Sequence, residues 1–598
     1  MTQTQTAHPV PAVIPRNALA RHDVPSVHSH RNLDRAIRAA VAKVTGGISP
    51  HAVTETWFDW ALHLSRAPGR QLELIERAQT NAARVAAFAM GAWSRDHDPA
   101  AAPFAPKTYD HRFADPAWDN PPFNLFKQGF LAVQDWWDHA TDDIRGLQKQ
   151  DTDRAKFQIR QMLDLVSPSN FPLTNPEIIA ATMAENGQNL VAGSAHFTSD
   201  LIQTITQQHK PAPEGFQIGK DLACTPGKVV FRNDLFELIQ YSPQTATTYP
   251  EPILFVPAWI MKYYVLDLSP HNSMVKYLVD QGFTVFMISW CNPTADQADL
   301  SLEDYRKRGV LAALDVINAI MPDRRVHANG YCLGGTLLSI AAATMARDGD
   351  HRLASVTLMA AQVDFDQAGE LLLFVDESQV AFVEDMMWEQ GYLDRPQMTR
   401  TFASIRAEDL IYTRAVNRYF LGKEDLPSDL LVWNGDTTRM PARMHSEYLR
   451  GLFLENRLTS GRFAVEGRVI ALKDIDLPLF VIATETDHIA PWRSVYKTRL
   501  FTDCDLTFVL TNGGHNGGIL SEPGHKGRHF RMSDRPRGAH YMGPDDWVAE
   551  HEEADGSWWP AYADWLRQQS GRRRKPPAMG TQDHGALADA PGAYIHQT

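Results

Sequence analysis

The most constraining feature of this chain is the run Val326-His327-Ala328-Asn329-Gly330-Tyr331-Cys332-Leu333-Gly334-Gly335-Thr336. It reads as a short strand, a sharp turn built on glycines, and then a helix over 337–347 rich in Ala, Leu and Met. Gly330 and Gly334 lie two residues either side of Cys332, so the chain can bend tightly and the helix can pack close without Cβ clashes. Such a bend lifts the sulfur above a sheet edge at the positive end of a helix, where a thiolate is favoured. G-x-C-x-G-G is the nucleophile-elbow spacing with cysteine where esterases carry serine. A glycine-rich turn that merely buries a small thiol has the same local pattern, so the partners must come from elsewhere in the chain.

The surrounding pattern supplies a sheet. Residues 228–232 and 235–241 read as paired strands. Short apolar runs at 253–256, 284–289, 326–330, 354–361, 478–484 and 506–511 alternate with helical stretches. That alternation implies a parallel sheet covered on both faces. Residues 364–471 break the rhythm with a helical segment rich in Met, Trp and Tyr, expected to be a cap inserted into the sheet domain. The fold class expected is α/β: an α/β-hydrolase fold with an inserted helical cap and a mostly helical N-terminal domain. The boundaries are a disordered tail (1–30), an N-terminal helical appendage (31–97), a helical N-terminal domain (98–225), the catalytic domain (226–570) and a polar, solvated C-terminal tail (571–598).

With 598 residues, more than one core is expected. No apolar run is long enough to span a bilayer, and residues 1–21 lack a signal-peptide layout. Four scattered cysteines suggest reduced thiols in a cytoplasmic protein. The net charge of −13 argues against a nucleic-acid partner.

A nucleophilic cysteine needs a base, and the base an orienting group. In the α/β-hydrolase plan these follow on loops after later strands, acid before histidine. After 478–484 comes Glu485-Thr486-Asp487-His488-Ile489-Ala490-Pro491-Trp492, offering Asp487. After 506–511 comes Asn512-Gly513-Gly514-His515-Asn516-Gly517-Gly518, offering His515. Their order behind the elbow favours the triad Cys332, His515, Asp487. Glu485 is a rival acid, and His488 is expected to support the Asp487 loop. His525 and His529 are four apart, but the glycines around them make a poor helix, so no metal is expected. Cys291 and Cys504 lack an elbow and read as structural.

These residues, with several longer motifs, resemble the polyhydroxyalkanoate synthases, most closely the single-subunit class I type. The likeness runs from about residue 33 to 595. It includes the stretch 110–118 (Asp110 to Trp118), Ser167-Pro168-Ser169-Asn170-Phe171 and Thr174-Asn175-Pro176-Glu177. It continues with Lys262-Tyr263-Tyr264, Ser289-Trp290-Cys291-Asn292-Pro293, the elbow, and Val432-Trp433-Asn434-Gly435-Asp436. Asp487-His488-Ile489 and Gly556-Ser557-Trp558-Trp559-Pro560 complete it. The chain departs from the family at Ala258-Trp259-Ile260-Met261 and at Asn516-Gly517-Gly518, both expected to border the site.

The resemblance implies an acyltransferase that polymerises (R)-3-hydroxyacyl-CoA, 3-hydroxybutyryl-CoA first, releasing CoA through an acyl-enzyme on Cys332. Backbone N–H groups of Leu333 and near Trp259 would hold the oxyanion. It implies no cofactor beyond the CoA thioester. It also implies a growing polyester chain as partner, a homodimer, and a cytoplasmic protein working at the polymer-granule surface. Two alternatives stay open: a thioesterase or esterase on the same scaffold, and a non-catalytic granule-associated protein.

Overall fold

The computed structural model describes residues 29–91, 102–206 and 213–598. The expected tail falls outside the described residues apart from 29 and 30, which begin a helix.

Apolar runs with no polar face build the centre. Strands β1 (Gly227–Arg232), β2 (Phe236–Tyr241), β3 (Ile253–Val256), β4 (Val285–Trp290), β5 (Val326–Tyr331) and β6 (Leu353–Met359) precede the cap. After it come β7 (Leu479–Thr484), β8 (Leu506–Thr511), β9 (His529–Arg535), β10 (Ala554–Asp555) and β11 (Ala588–Asp589). They join one 11-stranded sheet in the order β10-β9-β8-β7-β6-β5-β3-β4-β2-β1-β11. The block from β4 through β3, β5, β6 and β7 to β8 is parallel. Both flanks are antiparallel, so the expectation of a parallel sheet holds for the centre only. Strands β2 to β8 are buried on both faces, which is why they read as continuous apolar runs. Strand β9 escapes sequence reading because its residues are mostly half-buried and charged.

The helical half comprises α1 (Ser29–Thr45), α2 (Pro50–Ser65), α3 (Pro68–Gly91), α4 (Phe123–Ala140), α5 (Lys149–Leu165), α6 (Pro176–Ala184) and α7 (Gln188–Thr206). Ser49 caps α2 with Pro50 at its first position, and Asn175 caps α6 by accepting from the N–H groups of Glu177 (2.8 Å) and Ile178 (3.3 Å). Asn186 and Gly187 both take positive φ and separate α6 from α7. The 110–118 motif is structural. The Arg112 guanidinium bridges the Asp110 and Asp164 carboxylates, both at 2.9 Å, beneath a small core containing Phe113, Trp118 and Phe130.

The polar C-terminal segment is largely exposed, as expected, including the basic run at 572–575, but it is not free. Parts of 571–598 are bound along the β1 edge of the sheet and beyond it. Ala588 and Asp589 pair with Val229 and Lys228. The buried Glu237 carboxylate accepts from the N–H groups of Ala593 and Tyr594, each at 2.9 Å. Gln240 accepts from Gly580 N–H at 2.8 Å, and Arg573 lies 4.6 Å from the Tyr249 ring. An unpaired strand edge and buried polar side chains need donors, and main-chain amides of a polar segment supply them.

Between β6 and β7 the chain leaves the sheet to form the cap. Its helix α9 (Glu377–Gln390) receives α1. The elbow itself lies between β5 and helix α8 (Leu333–Asp348). A Cβ at Gly334 would sit 2.0 Å from the Val256 carbonyl oxygen and 2.7 Å from the Pro257 main chain. One at Gly330 would sit 2.3 Å from Gly335 Cα. Only glycine permits this approach. Gly334→Ala should therefore destabilise the protein by more than about 4 kcal/mol, in the range of severe core overpacking. Soluble yield and thermal midpoint test this; a midpoint equal to that of the parent would contradict it.

Candidate active site

Cys332 sits in the turn at φ 52° and ψ −125°, a strained conformation for a residue with a side chain. The strain is held by neighbours. Cys332 N–H donates to Met359 O at 2.9 Å, and Cys332 O accepts from Gly335 N–H at 2.9 Å. Leu333 opens α8, so its N–H has no acceptor within the helix.

His515 and Asp487 reach the same place from the loops after β8 and β7. His515 Nδ1 lies 2.7 Å from Asp487 Oδ2; the Asp487 side chain is buried and the imidazole nearly so. Asp487 is held in turn. Its Oδ1 accepts from the N–H groups of Ile489 and Ala490, each at 2.8 Å, and its Oδ2 from Thr484 Oγ1 at 3.1 Å. Burial alone would raise the Asp487 pKa, but the facing imidazole and these donors hold it below the usual carboxylate range. Burial alone would push His515 down. The Asp487 charge, the Cys332 sulfur and the hydrogen bonds to both outweigh it, and the imidazole pKa stands well above its ordinary value. With Nδ1 engaged by Asp487, Nε2 is the nitrogen left for Cys332.

The structure thus brings Cys332, His515 and Asp487 together, and it separates their rivals. Glu485 turns to Arg531 at 3.3 Å, away from His515. His529 lies near Glu485 and Glu553, but Arg531 also pairs with Glu553 at 2.6 Å and balances that acidic pair. His525 pairs with Glu522 at 2.8 Å rather than with His529. The His488 ring is exposed, and the residue meets the cap through its main chain, its carbonyl accepting from Glu370 N–H at 3.2 Å. Cys291 and Cys504 are buried, and burial pushes each thiol up to about 11.

The Trp259 ring does not face the thiol. It packs against Tyr305 and Tyr448, while Ala258 and Ile260 beside it line a small cavity with Cys332 and His515. The cap motif at 432–436 explains how that loop is held. Trp433 Nε1 donates to Lys262 O at 2.8 Å, and Tyr264 donates to Asp436 at 3.1 Å. Just beyond, Thr438 donates through its N–H to Ile260 O at 3.0 Å and through its hydroxyl to Trp259 O. The motif at 556–560 plays the same part for the His515 loop. Trp558 Nε1 donates to Gly518 O at 3.1 Å and Trp559 Nε1 to Ile519 O at 2.9 Å.

Two residues that the sequence shows only as members of longer motifs take up positions at the site. Tyr331, next to Cys332, donates its hydroxyl to Asn516 Oδ1 and packs its ring 5.7 Å from that of His515. Lys262, nearly buried, donates to the main-chain carbonyls of Tyr594 (3.2 Å) and Gln597 (2.7 Å); desolvation lowers its pKa to about 8. Nothing in strand or loop periodicity marks either one.

Cys332 also opens into a second cavity of about 130 Å³, lined chiefly by apolar side chains of the cap and by Leu333 and Thr336.

A mixed sheet with a parallel centre, a helical excursion after β6 and a strained thiol at the elbow define a cysteine-bearing protein of the α/β-hydrolase fold. Comparison with known sequences agrees: the α/β-hydrolase fold family matches residues 251–521. The N-terminal families of poly-beta-hydroxybutyrate polymerase match residues 109–278 and 28–70. The chain is 41% identical over 494 residues to the poly(3-hydroxyalkanoate) polymerase of Methylorubrum extorquens, covering 82% of this chain and 81% of that one. It is 36% identical over 503 residues to the poly(3-hydroxyalkanoate) polymerase subunit of Cupriavidus necator, covering 81% and 83%. The chain belongs to the poly(3-hydroxyalkanoate) polymerase family and is an acyltransferase. Among the described residues, no helix is long and apolar enough to cross a membrane.

The Asp487 charge favours the charged imidazole, so Asp487→Asn should lower the His515 pKa. Titration of the His515 ring by NMR in both proteins reads this directly. An unchanged titration would show that the carboxylate does not set it.

Proposed function

We propose that the chain polymerises (R)-3-hydroxyacyl-CoA, with 3-hydroxybutyryl-CoA as the preferred monomer, through a thioester on Cys332. The observation that carries this reading is an apolar cavity of about 130 Å³ opening on Cys332, with His515 and Asp487 paired beside it. Cavities of about 150 Å³ with such walls accept a molecule the size of benzene. A hydroxybutyryl group has the same number of heavy atoms.

His515 Nε2 takes the Cys332 proton, and the thiolate attacks the thioester carbonyl. The N–H of Leu333 and a second N–H near Trp259 receive the oxyanion. Collapse expels the CoA thiolate, which is protonated by the imidazolium. The 3-hydroxyl of the next unit then gives its proton to His515 and attacks the acyl-cysteine, forming an ester and freeing Cys332. Exchange between two thioesters is nearly balanced, so a sulfur nucleophile suits a chain handed on repeatedly. Serine would hold the chain as a more stable ester. Keeping water out protects the acyl-enzyme, and the cap supplies the apolar walls that do so. This chemistry runs on side chains and thioester alone. The same reading places the protein in the cytoplasm, as a homodimer at the granule surface.

A hydrolase would bring water to the acyl-cysteine; the Asn516 side chain bordering that space is engaged by a protein partner, its carbonyl oxygen accepting from the Tyr331 hydroxyl. A non-catalytic scaffold would have no use for a buried, charge-tuned imidazole beside a strained thiol.

Given racemic 3-hydroxybutyryl-CoA, the protein should release CoA and turn the solution turbid with polymer. Soluble 3-hydroxybutyrate in place of polymer would establish hydrolysis. Cys332→Ala should lower CoA release by about 10⁴-fold or more; retained turnover would remove Cys332 from the mechanism.

A further inference from the structure

The acyl cavity is not closed by the catalytic domain and cap alone. Gly46, Gly47 and Ile48, almost three hundred residues before the thiol in sequence, line the same cavity as Cys332. They form the turn between α1 and α2, and its shape has a local cause. Gly46 and Gly47 take φ of +66° and +90°, ending α1 and reversing the chain where a side chain would be strained.

The turn is fastened to the cap at two levels. Inside, the Gln379 amide clasps it: Ser49 N–H donates to Gln379 Oε1 at 2.8 Å, and Gln379 Nε2 donates to Gly47 O at 2.6 Å. Gln379 and Ser49 are both buried, so this clasp is shielded from competing water. Outside, α1 is pinned along α9. Arg38 pairs with the buried Asp385 at 2.7 Å, Arg35 with the same carboxylate at 3.3 Å, and Lys43 with Glu389 at 2.8 Å. A segment that only decorated the surface would not place two main-chain glycines and a branched aliphatic side chain against the cavity that holds the nucleophile.

We infer that the 46–48 turn is the outer wall of the acyl cavity, and that Ile48 determines which acyl-chain length the enzyme accepts. This rests on the reading that Cys332 is acylated from CoA thioesters. Ile48 is a specificity-determining residue here: it bounds the space for the alkyl substituent at the 3-position and takes no part in proton transfer.

The test compares kcat/KM for (R)-3-hydroxyhexanoyl-CoA and (R)-3-hydroxybutyryl-CoA in Ile48→Ala, Ile48→Trp and the parent. Each methylene in an apolar pocket is worth roughly tenfold or more in discrimination. Ile48→Ala should raise the six- to four-carbon ratio about tenfold, and Ile48→Trp should lower it. Ratios within twofold of the parent in both variants would overturn the inference. A second readout does not depend on thioester turnover: alkylation of Cys332 by N-ethyl and N-hexyl iodoacetamide, located by peptide mass. Ile48→Ala should speed the hexyl reagent relative to the ethyl one by a similar factor, whereas equal relative rates in parent and variants would overturn the wall. If the parent alkylates with the expected length dependence yet releases no CoA, the wall stands and the polymerase reading fails.

Discussion

Everything at the site depends on one close approach of backbone to backbone. Gly334 lies against the Val256 carbonyl and the Pro257 main chain, so α8 begins directly above the centre of the sheet. That contact leaves Cys332 no relaxed conformation, and it takes φ 52° at the crest of the turn. The cost of order 1–3 kcal/mol is borne by the surrounding parallel strands, which no single side chain could distort. A thiol fixed this way is already in position when substrate arrives, and the two loops that answer it need only be held still.

They are held by polar contacts made far from the chemistry. Asp487 is anchored by its own loop amides and by Thr484. The His515 loop hangs from the indole N–H groups of Trp558 and Trp559. The loop after β3 is tied to the cap through Trp433 and Thr438. A motif that reads as a signature in sequence is thus, in space, a set of braces around a small catalytic volume. The cap joins the same network, so shielding and positioning are not separate devices. The N-terminal hairpin extends it further, with one buried glutamine, Gln379, bonding the turn at Gly47 to the cap.

Much of this was legible in the chain because its physics is local. Glycines at fixed offsets around Cys332 demand an elbow, continuous apolar runs demand a buried sheet, and an acid and a histidine after later strands fall in the right order. The invisible parts depend on distant partners. Strand β9 is charged and half-exposed, and its Arg531 pairs with Glu485 and Glu553 only once the loops have met. The segment 571–598 is exposed over most of its length, as its composition says, but no apolar pattern announces that its amides satisfy Glu237 and Gln240. Tyr331 and Lys262 gain their meaning from residues hundreds of positions away or from burial that sequence does not disclose. The role of the hairpin at 46–48 was hidden for the same reason.

The central claim is that Cys332, served by His515 and Asp487, carries the acyl group between one thioester and the next. It is tested most directly by acid quench of the protein within its first turnovers on (R)-3-hydroxybutyryl-CoA, followed by peptide mass analysis. The account predicts a peptide containing Cys332 that carries one or more 3-hydroxybutyryl units in an alkali-labile bond. CoA release with that peptide unmodified, or with the acyl group on another residue, would contradict it.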